Sequence, residues 1–213
     1  MSETEPPSAF WNRRYQQVDR LWSTAPNAVL AALTPDLSPG RALDLGAGEG
    51  RNALWLARHG WRVTALDVSG VALERAAQRA AREGVHLECI EADWREYRPG
   101  ASSFDLAVLA YMHPDVDDRA YLFGWVAEAL APGGHLFVVG VHVVDQGLRG
   151  PPDPERLYTP ERMGDALRGF DLLRCESIVY EAERSEGRRQ VTDVVGLARR
   201  AGFAPRKPLT SPA

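Results

Sequence analysis

The 213-residue chain is 45% hydrophobic and 25% charged, the balance of a soluble globular protein with one sizeable domain. A net charge of -4, with 24 of the 25 basic residues scattered Arg and Lys207 the single Lys, excludes the basic footprint of a dedicated nucleic-acid binder. Two cysteines, Cys89 and Cys175, stand 86 positions apart, which excludes a disulfide scaffold and a zinc site built on cysteine pairs.

Residues 1–8 are polar and proline-containing and lack the basic and apolar regions of a leader, so they are expected as a flexible tail. Residues 9–18 and 26–33 are predicted helices, in a stretch that carries Trp11, Tyr15 and Trp22. Strands are predicted at 41–45 and 62–66, each followed by a helix, at 51–59 and at 71–82 behind a Ser69 N-cap. Further strands follow at 86–90 and 104–110. The stretch 106–112 is the longest apolar run, far short of the roughly 20 residues that a membrane helix requires. Between 119 and 130, Leu122, Trp125, Val126, Ala129 and Leu130 fall at helical spacing. Pro132-Gly133-Gly134 then turns the chain into a strand at 136–141. Thr159-Pro160 reads as an N-cap with Pro at the first helical position, in a helix running to about residue 168. The last strands, 172–180 and 191–198, are separated by a charged stretch with no helix, so they are predicted as a hairpin. Residues 205–213, with three prolines, are expected as a second tail. Short apolar runs alternating with helices indicate an α/β protein with a largely parallel sheet, a single domain over 9–204 and a cytoplasmic location.

The most specific stretch is Ala42-Leu-Asp-Leu-Gly-Ala-Gly-Glu-Gly-Arg-Asn52, a strand entering a helix through Gly46, Gly48 and Gly50. Glycine serves where backbone must turn tightly and approach a ligand. Asp67 ends the second strand, placed to bind the two hydroxyls of a ribose. The spacing is G-x-G-x-G, with Arg51 in the slot that a dinucleotide fingerprint reserves for its third glycine, and no Walker lysine exists. The turn therefore selects a nucleoside without phosphates. Asp44, among apolar strand residues, must be partnered: it orients the loop and a ligand's ammonium, or bonds only to backbone amides.

This pattern resembles the class I S-adenosylmethionine-dependent methyltransferases along nearly the whole chain. Ala92-Asp-Trp94 resembles their adenine-facing loop, and Leu130-Ala-Pro-Gly-Gly134 their turn into the fifth strand. The resemblance implies a Rossmann-like seven-stranded sheet of order 3-2-1-4-5-7-6, strand 7 antiparallel, with helices on both faces. Gly48-Glu-Gly-Arg-Asn-Ala53 and the Trp-rich N-terminus resemble the small-molecule branch that includes tellurite-resistance and thiopurine methyltransferases.

The resemblance implies S-adenosylmethionine as cofactor, S-adenosylhomocysteine as product, and cofactor contacts from Asp44, Gly46, Ala47, Gly48, Gly50 and Asp67. It adds Val68 on the adenine face, Asp93 accepting from the adenine amino group, Trp94 flanking the ring, and Arg14 or Tyr15 at the methionine carboxylate. The segment Leu109-Ala-Tyr-Met-His-Pro114 falls beside the transferred methyl. Leu109 borders the cofactor there, and Tyr111 and His113 are candidate bases with His142. Trp11 and Trp22, within a helical lid segment at 9–38, and Arg149, in the loop 146–158, are expected to wall the acceptor. The segment lacks [DN]-P-P-[YF], and no Pro-Cys pair is present, both of which argue against methylation of nucleic-acid bases. No metal site is expected. The expected partner is a small-molecule methyl acceptor rather than nucleic acid or membrane. The competing readings are a catalytically silent S-adenosylmethionine-binding protein and an NAD(P)-dependent oxidoreductase.

Overall fold

A computed structural model describes residues 5–184 and 187–201. Seven strands form one sheet in the order β3-β2-β1-β4-β5-β7-β6. They are β1 (Arg41–Leu45), β2 (Arg62–Asp67), β3 (Leu87–Glu91), β4 (Phe104–Ala110), β5 (Leu130–Val141), β6 (Phe170–Arg184) and β7 (Gly187–Arg200). Pairs from β3 through β5 are parallel, and β7 runs antiparallel to both β5 and β6. This is the expected topology.

Helices α1 (Pro7–Gln16), α2 (Ala28–Leu33), α3 (Arg51–Arg58), α4 (Gly70–Glu83), α5 (Val116–Ala129) and α6 (Pro160–Ala166) cover the sheet. Alternation along each strand divides the core into two layers. Leu43, Leu45, Ala107 and Leu109 face Leu122, Trp125 and Val126 of α5 and Met163 of α6. Ala42, Leu106 and Val108 face Leu30 of α2, Leu54 of α3 and Leu73 and Ala76 of α4.

Caps act where the sequence places them. Ser69 Oγ accepts from Ala72 N at 3.2 Å, and Thr159 Oγ1 accepts from Arg162 N at 3.2 Å. Several boundaries differ from expectation. α1 begins at Pro7, within the stretch expected as a tail, because Pro suits the first helical turn. α5 begins at Val116, three residues early. β6 and β7 extend through most of the charged stretch between them, since cross-strand pairs such as Arg188 with Glu183, at 3.0 Å, keep a solvated ladder together. The turn at 131–134 becomes a register shift within β5: Phe104 faces Leu130 and Leu106 faces His135. The expected tail at 205–213 lies outside the described residues.

Candidate active site

Open α/β sheets bind ligands at the carboxyl ends of their strands, and here those ends carry the glycine turn, Asp67 and Tyr111. A cleft of about 770 Å³ opens instead at the strands' opposite ends, beside Arg41, Arg62 and Trp61. It contains none of the glycine turn's groups, so it does not define the site.

The turn is tied to β2 by Gly46 N and Ala47 N, both donating to Leu66 O at 2.8 and 3.1 Å. Gly48 has φ +54°, and a Cβ there would stand 2.7 Å from Tyr15 Oη, so only glycine fits. Gly50, at φ +74°, brings α3 against α4, since its Cβ would stand 2.8 Å from that of Ala76.

Two buried carboxylates flank the turn. Asp67 accepts from Gly48 N at 2.8 Å and Ser69 N at 2.9 Å, and burial raises its pKa. Those two bonds leave lone pairs for a diol. Asp44 accepts from Ala53 N at 3.0 Å, and burial pushes its pKa up to about 7. Val68 follows Asp67, half-buried. A buried carboxylate pair, glycine backbone and no lysine among the described residues suit a cationic nucleoside better than a pyrophosphate.

The N-terminal segment closes over this turn. Tyr15 is 3% exposed and accepts from Trp22 Nε1 at 3.0 Å, and burial raises its pKa. Trp11 lies 6.1 Å from the Tyr15 ring. The carboxylate of Glu49, inside the turn, accepts from Leu21 N and Trp22 N at 3.1 and 3.3 Å and pairs with Arg75 at 3.0 Å. Asn12 accepts from Ser69 Oγ at 2.7 Å, while Asn27 N donates to Asn52 Oδ1 at 2.9 Å. The Arg14 guanidinium lies over the rings of Phe10 and Trp11, and its charge acts on the Tyr15 hydroxyl beside Gly48. Arg51 sits at the turn, 5.3 Å above the Tyr111 ring.

Along the loop after β3, Trp94 is 6% exposed and belongs to the core layer beneath α5. Asp93 is gripped by Arg95, which also pairs with Asp118 and lies 5.0 Å over Trp94. Leu109 is 1% exposed and packs inside the sheet.

Of the candidate bases, His113 has its Nε2 lone pair taken by Val141 N at 3.0 Å, and burial lowers its pKa to about 4. It joins the β4–α5 loop to β5. His142 accepts from Val144 N at 3.0 Å through Nδ1 and caps a short 3₁₀ turn. Tyr111 sits at φ +59°, and its hydroxyl donates to Asp193 Oδ2 at 2.7 Å. Arg149 pairs with Asp145 at 2.7 Å and Asp193 at 2.6 Å. Sequence reasoning missed Glu49, Arg51, Asn27, Asp145, Tyr180 and Asp193. Asp193, a carboxylate within Val191-Thr-Asp-Val-Val195, carried the same signal that singled out Asp44.

Residues 42–134 match the family model described as a methyltransferase domain. A ribosomal RNA small subunit methyltransferase C of Alcanivorax borkumensis is 34% identical over 109 residues, 47% of this chain and 32% of that protein. A ubiquinone biosynthesis O-methyltransferase of Cupriavidus pinatubonensis is 31% identical over 160 residues, 66% of this chain and 64% of that protein. The chain thus spans less than two thirds of the length of either relative. A S-adenosylmethionine dependent methyltransferase from Mesorhizobium loti superposes with a TM-score of 0.61 at 26% identity, covering 81% of this chain and 96% of that one. TehB from Haemophilus influenzae superposes with a TM-score of 0.71 at 18% identity, covering 91% and 66%.

The fold is that of S-adenosylmethionine-dependent methyltransferases. Residues 42–134, which include the glycine turn, carry the match to a methyltransferase domain.

Proposed function

We propose that the chain transfers a methyl group from S-adenosylmethionine to an S, O or N atom of a small-molecule acceptor, by in-line displacement. The observation that carries this reading is the G-x-G-x-G turn with buried Asp67 behind it and Asp44 beneath it. Asp67 takes the ribose hydroxyls, Asp44 the ammonium, and Gly46, Ala47 and Gly48 offer close backbone. Arg51, in the first turn of α3, joins Arg14 and Tyr15 as a partner of the methionine carboxylate. Asp93, held by Arg95, faces the adenine edge with Val68, while Trp94 supports that loop from the core.

The sulfonium supplies an already activated methyl group, so the protein's work is binding, alignment and exclusion of water. Tyr15 and Trp22 cover the turn, and Arg149 stiffens the opposite wall. A net charge of -4 with scattered arginines favours a small acceptor over a nucleic acid. His113 acts as a structural link rather than a base. The residues 9–204 act as one domain, and two unpaired cysteines fit a cytoplasmic location.

Calorimetric titration with S-adenosylhomocysteine and, in parallel, NADH tests the reading. Micromolar binding of the first alone is expected, followed by methyl transfer in a screen of thiols, phenols and amines. Binding of NADH alone would overturn the assignment of the glycine turn.

A further inference from the structure

Across the mouth from Asp67, side chains from three separate parts of the chain converge on one carboxylate. Asp193, on β7, is 3% exposed. Its Oδ2 accepts from Tyr111 Oη at 2.7 Å and from Tyr180 Oη at 2.9 Å. Its Oδ1 lies 2.6 Å from Arg149 Nη2, an ion pair without hydrogen-bond alignment. Arg149 also holds Asp145, whose Oδ2 accepts from Thr192 N at 2.8 Å. One cation therefore stands between two carboxylates. If Asp193 takes up a proton, Arg149 keeps Asp145 as counter-ion and no buried charge is stranded.

Tyr111 links this cluster to the glycine turn. Its ring lies under Arg51 of the first turn of α3, and its oxygen is 3.4 Å from Asn27 Nδ2. A left-handed backbone at a tyrosine is strained and persists only where the surroundings impose it. Here it aims a half-buried phenol whose proton points at Asp193 and whose oxygen also takes the side-chain amide of Asn27. Burial and Asp193 both raise the Tyr111 pKa, which keeps the hydroxyl protonated. His113 has no lone pair to offer at this position.

We propose, resting on the methyltransferase reading, that the acceptor is a protic group, a hydroxyl or an amine, whose proton leaves through Tyr111 to Asp193. The acceptor atom forms its bond to the methyl carbon as the carbon–sulfur bond breaks, with that electron pair going to sulfur. The acceptor proton passes to Tyr111 Oη, and the Tyr111 proton passes to Asp193 Oδ2. Sulfur loses a positive charge and Asp193 a negative one, so the net charge of the site is unchanged. Tyr111 touches the acceptor, and Asp193 acts through it as a positioning residue and proton store. Tyr180 keeps Asp193 partnered when Tyr111 is altered.

The test uses phenol and thiophenol as probe acceptors at about pH 8, where the thiol is ionised and the phenol is not. In Asp193→Asn the amide oxygen still accepts from Tyr111 but cannot take its proton. Phenol binding to the S-adenosylhomocysteine complex is expected to stay within about threefold of wild type, while the ratio of phenol to thiophenol methylation falls at least ~100-fold. Calorimetry on the same complex should show wild type preferring phenol to anisole, with that preference lost in Tyr111→Phe. Equal losses on both acceptors, an unchanged ratio, or a wild type that methylates thiophenol but not phenol would each overturn the relay. Failure of wild type to bind S-adenosylhomocysteine would instead sink the parent reading.

Discussion

Single carboxylates dominate the cofactor side of the site. Asp67 is held by two backbone amides, so Asp67→Ala removes the diol's acceptor without opening the core. Calorimetry should show S-adenosylhomocysteine affinity falling roughly 10- to 100-fold, with circular dichroism unchanged. An unaltered affinity in a folded variant rejects the ribose assignment. Asp44 adds a pH signature. Its carboxyl is near 3.8 when unfolded and about 7 when folded, so in that window the native state holds a proton that the unfolded chain has released. Stability of the ligand-free protein therefore falls as pH rises through this window, and burial of Asp67 acts in the same direction. Melting curves of Asp44→Asn, which can still accept from Ala53 N, should be flatter across it and higher at about pH 8. Because an ammonium selects the ionised carboxylate, ligand affinity should show the opposite trend and weaken as pH drops below about 7. Parallel melting curves for wild type and variant would remove Asp44 from the account.

At the scale of elements, the N-terminal segment is held by polar contacts rather than by a large apolar face. Glu49 grips Leu21 and Trp22, Asn12 reaches α4, and Asn27 both caps α2 and donates toward Tyr111. Glu49→Gln should loosen the stretch 17–27 alone. Hydrogen exchange there is expected to quicken about tenfold while α3 and α4 stay protected. Uniform acceleration throughout the molecule would mean that Glu49 supports the fold and not a cover. The helices and strands themselves were legible where a local signal marks them: the Ser69 and Thr159 caps and the apolar runs. The lengths of β6 and β7 were not, since a charged ladder on exposed strands carries no hydrophobic periodicity.

For the whole molecule, a ligand that binds only the folded state must raise its stability by mass action. At about 100 times its dissociation constant, S-adenosylhomocysteine should raise Tm by roughly 5–10 °C, and NADH should leave it unmoved. A thermal-shift series over ligand concentration reads this directly, and equal shifts with both compounds would dissolve the cofactor assignment.

The succession of strands and helices, the glycine turn and the position of Asp67 followed from the sequence alone, because hydrophobic period, backbone-permissive residues and a fixed spacing are local properties, whereas the strand order came only with the resemblance to a known family. Placement of the remaining polar groups was decided by tertiary structure. Whether His113 has a free lone pair depends on Val141, 28 residues away, and where the Tyr111 proton points depends on Asp193, 82 residues away. Arg14 and Arg51 are alike in sequence, yet one lies on the aromatic rings of its own helix and the other stands beside the glycine turn. Hydrogen-bond saturation and charge pairing are properties of contacts between distant strands and loops, so they appear only when the sheet has brought those strands together.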